Sequence, residues 1–271
     1  MVNDQDYSAF QQRIDKLYEM RRYKDCVKMC KEAILSFPDE WRPYYTLVSS
    51  YYNSKQIQLA YDTVKVAIAK FPDNYMFWLS KGQIMYFSKK YEEALLWLHK
   101  ALGKVPDNVY VYALLAECYQ RQEDYSSAMG YASKALAINP NQEIALKALA
   151  WSKVNIGSSQ ASEIIERYLD TYPNSFDAHH VAAVYYLQAK QHDKAVEHFR
   201  AALRVQPDKE KAFEQYKDFL LEHVPEYYVS QKPVMKAFIT LNLLGLAVFV
   251  TALWLGWELV AKCAVGFQIV V

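Results

Sequence analysis

Residues 75–106 read YMFWLSKGQIMYFSKKYEEALLWLHKALGKVP, and this stretch decides the fold of the chain. Apolar or small residues recur at intervals of three and four on both sides of a short polar stretch at residues 88–90. This spacing is typical of two amphipathic helices joined by a tight turn. The stretch ends at Pro106, which cannot continue a helix because it lacks the amide donor and clashes with the preceding turn. We therefore predict a helical hairpin here.

The same pattern returns along the chain at a nearly constant period. A series of prolines marks it: Pro38, Pro72, Pro106, Pro140, Pro173 and Pro207. A period of about 34 residues indicates stacked copies of one supersecondary unit, each of which buries its apolar face on its neighbours. The predicted repeats span about residues 7–40, 41–74, 75–108, 109–142, 143–175 and 176–209. The Asp or Asn residues that follow four of these prolines are N-cap candidates for the next helix: Asp73 or Asn74, Asp107 or Asn108, Asn141, and Asn174.

The residues within each unit resemble the tetratricopeptide repeat. In the unit 75–108, Trp78 takes a large position and Gly82 the small position four residues later, while Ala94 and Ala101 take the small positions of the second helix. The resemblance implies an all-α fold, a right-handed α-solenoid of about six helical hairpins. It is specific for the fold and unspecific for the function.

The solenoid is predicted to fill residues 1–224. Its last part, residues 209–223, is polar and is predicted to form a capping helix that covers the exposed end of the stack. Repeat arrays generally need such a cap, because a terminal repeat has no neighbour on which to bury its apolar face.

The resemblance also implies a binding surface. In this family the first helix of each pair lines a concave face that receives a peptide or a helix of a partner protein. The first-helix residues outside the packing positions are the groove candidates: Tyr45, Tyr52, Leu79, Gln83, Tyr86, Tyr110, Glu117, Gln120, Lys147, Trp151 and His180. The set is aromatic with few cations, which favours a hydrophobic or aromatic partner segment over an acidic tail. Each tyrosine has a plainer alternative as a packing residue between helices.

The composition and the motifs argue against several other functions. With 31 Lys and Arg against 30 Asp and Glu, the chain carries a formal charge of +1, which gives no global electrostatic case for nucleic acid. Cys26 and Cys30 fall in small-residue positions of one helix and are interpreted as buried thiols, since no further metal-ligand motif accompanies them. No nucleophile motif or phosphate loop is present. We predict no enzyme, no cofactor and no metal site.

The C-terminal part of the chain predicts a membrane anchor. Residues 237–257 read AFITLNLLGLAVFVTALWLGW and contain no charged side chain. As a helix this segment would span roughly 31 Å, close to the thickness of about 30 Å of a bilayer's hydrocarbon core. The alternative is a buried soluble helix that caps the solenoid, but such a helix would show a polar face. We therefore predict a transmembrane helix here.

The flanks of this segment set its orientation. Residues 225–236 are interpreted as a juxtamembrane linker and residues 258–271 as an apolar tail that either continues the helix or lies in the far interface. Three lysines precede the span, namely Lys217, Lys232 and Lys236. Only Lys262 follows it. Basic residues favour the cytoplasmic side. The N-terminus is polar and predicts no signal peptide. We therefore expect a single-pass protein, similar to tail-anchored proteins, with its N-terminal domain in the cytoplasm.

These features favour an adaptor or scaffold that holds a partner protein at a membrane. One alternative is a non-catalytic subunit of a membrane complex for secretion, translocation or insertion. In that case Asn242, Glu258 and Lys262 would contact other membrane helices. A third hypothesis is a chaperone for hydrophobic secreted or membrane proteins.

Overall fold

A computed structural model describes residues 4–207, 209, 214 and 216–224, and the regular structure of this part of the chain is helical throughout. Its first twelve helices form six consecutive pairs: α1 (Asp4–Glu19) and α2 (Tyr23–Ser36), α3 (Trp41–Asn53) and α4 (Ile57–Lys70), α5 (Tyr75–Phe87) and α6 (Tyr91–Lys104), α7 (Val109–Arg121) and α8 (Tyr125–Ile138), α9 (Glu143–Asn155) and α10 (Ala161–Thr171), α11 (Phe176–Gln188) and α12 (His192–Val205). The helix α13 (Lys217–His223) follows them. The prediction of an all-α fold built of helical hairpins is confirmed.

The chain divides into two compact units, Met1–Asn174 and Ser175–Val271. In the first unit, consecutive first helices contact one another, from α1 with α3 to α7 with α9. Four second helices of this unit, α2, α4, α6 and α8, also pack on the first helix of the next pair. This nearest-neighbour packing is the solenoid arrangement that the repeat period predicts.

Small residues allow the helices of the first unit to approach closely. Ala60, Ala94 and Ala128 occupy the same position in successive second helices, and all three are fully buried. On α5, a Cβ atom added to Gly82 would lie 2.8 Å from Cγ of Leu98 on α6. Contacts this short are essentially never observed, so the α5–α6 pair depends on the absence of a side chain at Gly82.

The two helices of each pair are joined by the same backbone turn. In the turn between α3 and α4, the Lys55 N–H donates to the carbonyl of Tyr52 and the Gln56 N–H to that of Tyr51, both at 2.9 Å. This is a Schellman motif, and Lys55 adopts a left-handed conformation with φ of 61°. The equivalent residues also have positive φ: Arg21, Lys89, Glu123, Gly157 and Lys190. Five of these six turns therefore place a side chain where glycine is favoured.

The helix starts agree only in part with the predicted N-caps. Of the Asp and Asn candidates after Pro72 and Pro106, the asparagines Asn74 and Asn108 cap α5 and α7 through their side-chain oxygens. The prediction for Asn141 and Asn174 is wrong, because the side chains of Gln142 and Ser175 cap α9 and α11 instead. In all four cases the cap lies two positions after the proline, so the register of the repeat decides which residue caps the helix.

The second unit contains α11, α12 and α13 in its described part. Its core includes Phe176 of α11 and Phe199 of α12. Leu220 of α13 and Val224, the residue after α13, also belong to this core. Leu220 lies on α13, within the predicted capping segment 209–223, and it is fully buried. A cap on the last helical pair would need such a buried side chain, and the capping role of residues 209–223 stays a prediction.

The predicted transmembrane helix 237–257, the linker 225–236 and the tail 258–271 lie outside the described residues. Among the helices that the structure does describe, none combines the length and the apolar character needed to cross a bilayer.

Candidate functional site

Side chains of four consecutive first helices come together on one face of the first unit. We call this set the first-helix cluster, and its members are Tyr52, Gln83, Tyr86, Tyr110, Glu117 and Lys147. The repeat explains why they meet. Tyr52 and Tyr86 are one repeat period apart, as are Gln83 and Glu117, so each pair occupies one position on neighbouring helices. Side chains at one position of a stacked repeat form a column along the stack.

Two polar contacts join the helices across this face. The side-chain amide of Gln83 on α5 donates a hydrogen bond of 2.7 Å to the Tyr110 hydroxyl on α7. The Lys147 ammonium on α9 forms an ion pair with the carboxylate of Glu117 on α7. The Glu117 side chain is only 5% exposed and that of Lys147 18%. Because a buried charge without a partner is costly, this pair couples α7 to α9 strongly.

The tyrosines of the cluster are held in their neutral form. Burial is the main cause that raises the pKa of Tyr52, Tyr86 and Tyr110, and the nearby Glu117 carboxylate raises these pKa values further. At neutral pH the hydroxyls therefore remain protonated donors. The cluster presents ring surface and neutral hydroxyls around the ion pair of Glu117 and Lys147, and the Arg121 guanidinium on α7 lies near both Tyr86 and Glu117. This chemistry suits an apolar or aromatic segment with a few hydrogen-bonding groups.

Tyr18 on α1 extends the cluster, and the sequence analysis missed it. The side-chain amide of Asn53 donates a 2.7 Å hydrogen bond to the Tyr18 hydroxyl. Tyr45, which was predicted, lies close enough to Tyr18 and Tyr110 to influence the pKa of both hydroxyls. The signal for Tyr18 was present, since it precedes Tyr52 by one repeat period.

The other predicted groove residues lie in different environments. Gln120 on α7 and Trp151 on α9 are half-buried. Leu79 belongs to the buried core of the first unit. His180 lies in the second unit, where it is buried and its ring packs 5.6 Å from that of Phe176 and 6.3 Å from that of Tyr216. The first-helix cluster therefore contains only part of the predicted set.

The cysteines of α2 are packing residues. Cys26 and Cys30 are fully buried free thiols, and the Ser50 hydroxyl donates to the sulfur of Cys26 at 3.2 Å. Over the described residues, no group of three or more His, Cys, Asp and Glu side chains is arranged to hold a metal ion.

Fold and cluster together define a helical-repeat protein with an aromatic first-helix face. Two family models of the tetratricopeptide repeat match the sequence, one over residues 45–109 and 148–210 and the other over residues 88–151. Together they cover residues 45–210 without a gap, which is more than half of the chain. The chain belongs to the tetratricopeptide repeat family.

Solved structures of other repeat proteins share this fold. The type IV pilus biogenesis factor PilW is similar with a TM-score of 0.67 and 18% identity, over 75% of this chain and 94% of that protein. PilF of Pseudomonas aeruginosa is similar with a TM-score of 0.64 and 17% identity, over 76% of this chain and 94% of that protein. A chain of the Cut9–Hcn1 assembly of the APC/C is similar with a TM-score of 0.68 and 13% identity, over 81% of this chain and 46% of that one. No curated protein matches the sequence significantly. Identities this low show the fold alone.

Proposed function

We propose that this protein is a membrane-anchored, cytosol-facing adaptor that binds a segment of a partner protein at the first-helix cluster. The observation that carries the proposal is the cluster itself. Four neighbouring helices each contribute side chains to it, and its tyrosine hydroxyls and charge pair connect the helices to one another. Such a surface is organised before a partner arrives, which lowers the entropy cost of binding.

The chemistry of the cluster supports an apolar or aromatic ligand. Tyr52 packs edge-on against Phe87 at 5.6 Å, and Phe87 is 52% exposed, so a ring surface is open to a ligand beside the cluster. Aromatic anchors of this kind supply much of the energy of protein interfaces. Lys147 already pairs with Glu117, so it is a poor receptor for an acidic tail. A hydrophobic strand or the apolar face of a helix fits best.

The membrane anchor is proposed from the sequence. Residues 237–257 carry no charge, and three lysines precede them. A helix of this length matches the bilayer core, and the basic flank favours an N-terminal side in the cytoplasm. The linker 225–236 would hold the repeats close to the bilayer.

A second function is favoured by polar residues in and beside the span. Asn242 lies within the uncharged run, and Glu258 and Lys262 follow it at a spacing of four. Polar groups at membrane depth are costly unless they find partners on other helices. In this alternative the protein is a non-catalytic subunit of a membrane complex, and the anchor carries the main contact.

Extraction of membranes with alkaline carbonate tests the anchor. The full chain should stay in the membrane pellet, whereas a chain that ends at residue 224 should be released. A glycosylation acceptor site placed before Met1 should remain unmodified if the repeats face the cytoplasm, and one placed after Val271 should be modified. Release of the full chain by carbonate would contradict the anchor.

Purification from detergent-solubilised native membranes separates the two functions. For the adaptor, Tyr52→Ala and Tyr86→Ala should lose the co-purifying partner, while Asn242→Leu should retain it. For the membrane subunit, Asn242→Leu and Glu258→Ala should lose the partner and the tyrosine variants should keep it. Leu35→Ala is the matched control, because Leu35 is 85% exposed and lies outside the cluster.

A further inference from the structure

Lysine and aromatic side chains alternate on a second surface of the first unit, formed by α4, α5 and α6. We call it the lysine–aromatic surface, and its members are Tyr61, Lys65, Lys81, Trp97 and Lys100, of which Lys100 also contacts the buried ring of Trp78. The Lys81 ammonium lies 4.0 Å from the centroid of the Trp97 ring and 5.8 Å from that of Tyr61. Lys65 lies 5.6 Å from the Tyr61 ring, and Lys100 lies 4.3 Å from the Trp78 ring. All of these distances are in the range of cation–π attraction.

Lys81 departs from the pattern of three other repeats. The equivalent residues of the second, fourth and fifth repeats are Leu47, Leu115 and Leu149, and each of them is at least nine-tenths buried. The first repeat has the exposed Arg13 at this position, and the sixth has Ala182. A leucine at this position would bury its side chain between the helices, whereas Lys81 brings a charge to a half-buried place. Residues that break a local rule without a gain in packing are expected at functional positions.

The three cations lack a carboxylate partner among the described residues. None of Lys65, Lys81 and Lys100 forms an ion pair there. The nearest acidic influence on Lys81 is Glu93, which pairs with Lys90 at 3.7 Å instead. Burial is the main cause that lowers the pKa of Lys81; Glu93 opposes this shift and Lys65 adds to it. An anionic ligand would relieve the repulsion between the lysines and compensate for the burial of Lys81.

We infer that the lysine–aromatic surface is a second docking surface, which binds an acidic segment of a partner protein by placing a carboxylate side chain between Lys81, Lys65 and Lys100. Three cations around aromatic rings are complementary to an anionic chain. The rings of Tyr61 and Trp97 would cover the apolar part of that chain. This inference concerns a different face from the first-helix cluster and does not depend on the proposed function.

The position of Lys81 favours an acidic protein segment over other anions. Lys81 extends from a first helix and touches rings on both neighbouring second helices, α4 and α6. A single carboxylate side chain of a peptide can reach the half-buried Lys81 between these two rings, whereas a flat lipid surface would meet only the exposed Lys65 and Lys100. Nucleic acid requires a longer basic track than a chain with a formal charge of +1 offers.

The test is a binding measurement on the full chain in a non-ionic detergent. The probe is a fluorescent peptide of alternating Glu and Gly, with a Gln and Gly peptide as its uncharged match. The variant Lys81→Leu carries the residue that three other repeats have at this position, so it should fold. Its midpoint of thermal unfolding should be equal to or higher than that of the wild type. Lys24→Leu on α2 makes the same change at an exposed lysine away from the surface.

We expect the wild type and Lys24→Leu to bind the Glu peptide alike and Lys81→Leu to bind it about tenfold more weakly, as expected for the loss of a charge-assisted contact. Salt should weaken binding less in Lys81→Leu than in the wild type. Equal binding by the wild type and Lys81→Leu would overturn the inference and leave Lys81 as a cover for Trp97. A wild type that ignores the Glu peptide, or that binds only phosphatidylserine vesicles or oligothymidine, would also overturn it.

Discussion

The side-chain amide of Gln83 donates a hydrogen bond of 2.7 Å to the hydroxyl of Tyr110, across the boundary between two repeats. Both residues are half-buried on the first-helix face. Through this bond the side chains that would receive a partner also connect α5 with α7. Changes in the cluster should therefore alter stability as well as binding.

Removing one partner of this bond should cost more than removing both. We expect Gln83→Met to lower the free energy of unfolding by about 1–2 kcal/mol, because the hydroxyl of the half-buried Tyr110 loses its donor. The double variant Gln83→Met/Tyr110→Phe should recover most of this loss. Urea unfolding followed by circular dichroism measures both values. A double variant as unstable as the sum of the single ones would contradict the coupling.

The ion pair between Glu117 and Lys147 should behave in the same way with a larger effect. Lys147→Met removes the ion-pair partner of the buried Glu117 carboxylate and leaves Arg121 as its nearby cation, and we expect a loss of about 3 kcal/mol. Glu117→Leu/Lys147→Met should be close to the wild type. Asp25→Asn is the control, since its pair with Arg22 is exposed on both sides and should cost about 0.5 kcal/mol. Similar losses of stability in Lys147→Met and Asp25→Asn would show that burial does not determine the cost of breaking an ion pair.

Two of the helical glycines, Gly82 and Gly130, should respond oppositely to a methyl group. Gly82→Ala would place Cβ against the buried Leu98, and we expect a loss of about 1–3 kcal/mol from overpacking. Gly130 has nothing within 4 Å of the added atom, so Gly130→Ala should stabilise α8 by up to about 1 kcal/mol. Midpoints of chemical unfolding compare the two. A stabilising Gly82→Ala would mean that Leu98 moves aside at little cost.

The left-handed turns offer stabilising substitutions. Lys55 has a φ of 61°, which is strained for any residue with a Cβ, so Lys55→Gly should raise the free energy of unfolding by about 0.5–1 kcal/mol. The reverse change at the equivalent turn, Gly157→Ala, should lower it by about 1 kcal/mol. Thermal unfolding of both variants shows whether each substitution raises or lowers the stability. Destabilisation by Lys55→Gly would show that the lysine side chain contributes more than the strain costs.

The second unit should lose stability in mild acid. Burial, followed by the neighbouring His179, holds the pKa of His198 below its usual value. The unfolded chain therefore binds a proton more readily than the folded one. The stability that His198 contributes is present above about pH 6.5, the usual histidine pKa, and is lost as the pH falls through the lower pKa of the folded state.

Hydrogen exchange of α11 and α12 measures this effect directly. After correction for intrinsic rates, protection should fall between about pH 7.5 and about pH 5.5, and His198→Phe should flatten the change. His99→Phe in the first unit is the control, and it should leave the pH-dependent fall of protection in α11 and α12 unchanged. The groups around His198 are His179, at 3.1 Å between the two Nδ1 atoms, together with Tyr186, Lys194 and Glu197. An unchanged pH profile in His198→Phe would exclude His198 as the source.

The repeat period was sufficient to predict the helical pairs, because proline spacing and the three–four periodicity are local properties of the chain. It could also have identified two positions that the sequence analysis passed over. Tyr18 is one period before Tyr52, and Lys81 interrupts a column of leucines. Aligning the repeats with one another would have drawn attention to both.

The partners of the side chains depended on the folded structure. Gln83 meets Tyr110, and Glu117 meets Lys147, at sequence separations that are both shorter than the repeat period. Such pairs form only when neighbouring helices pack at a particular spacing and angle, which depends on small buried residues such as Gly82. Periodicity therefore determines which helices stack, whereas packing determines which side chains touch.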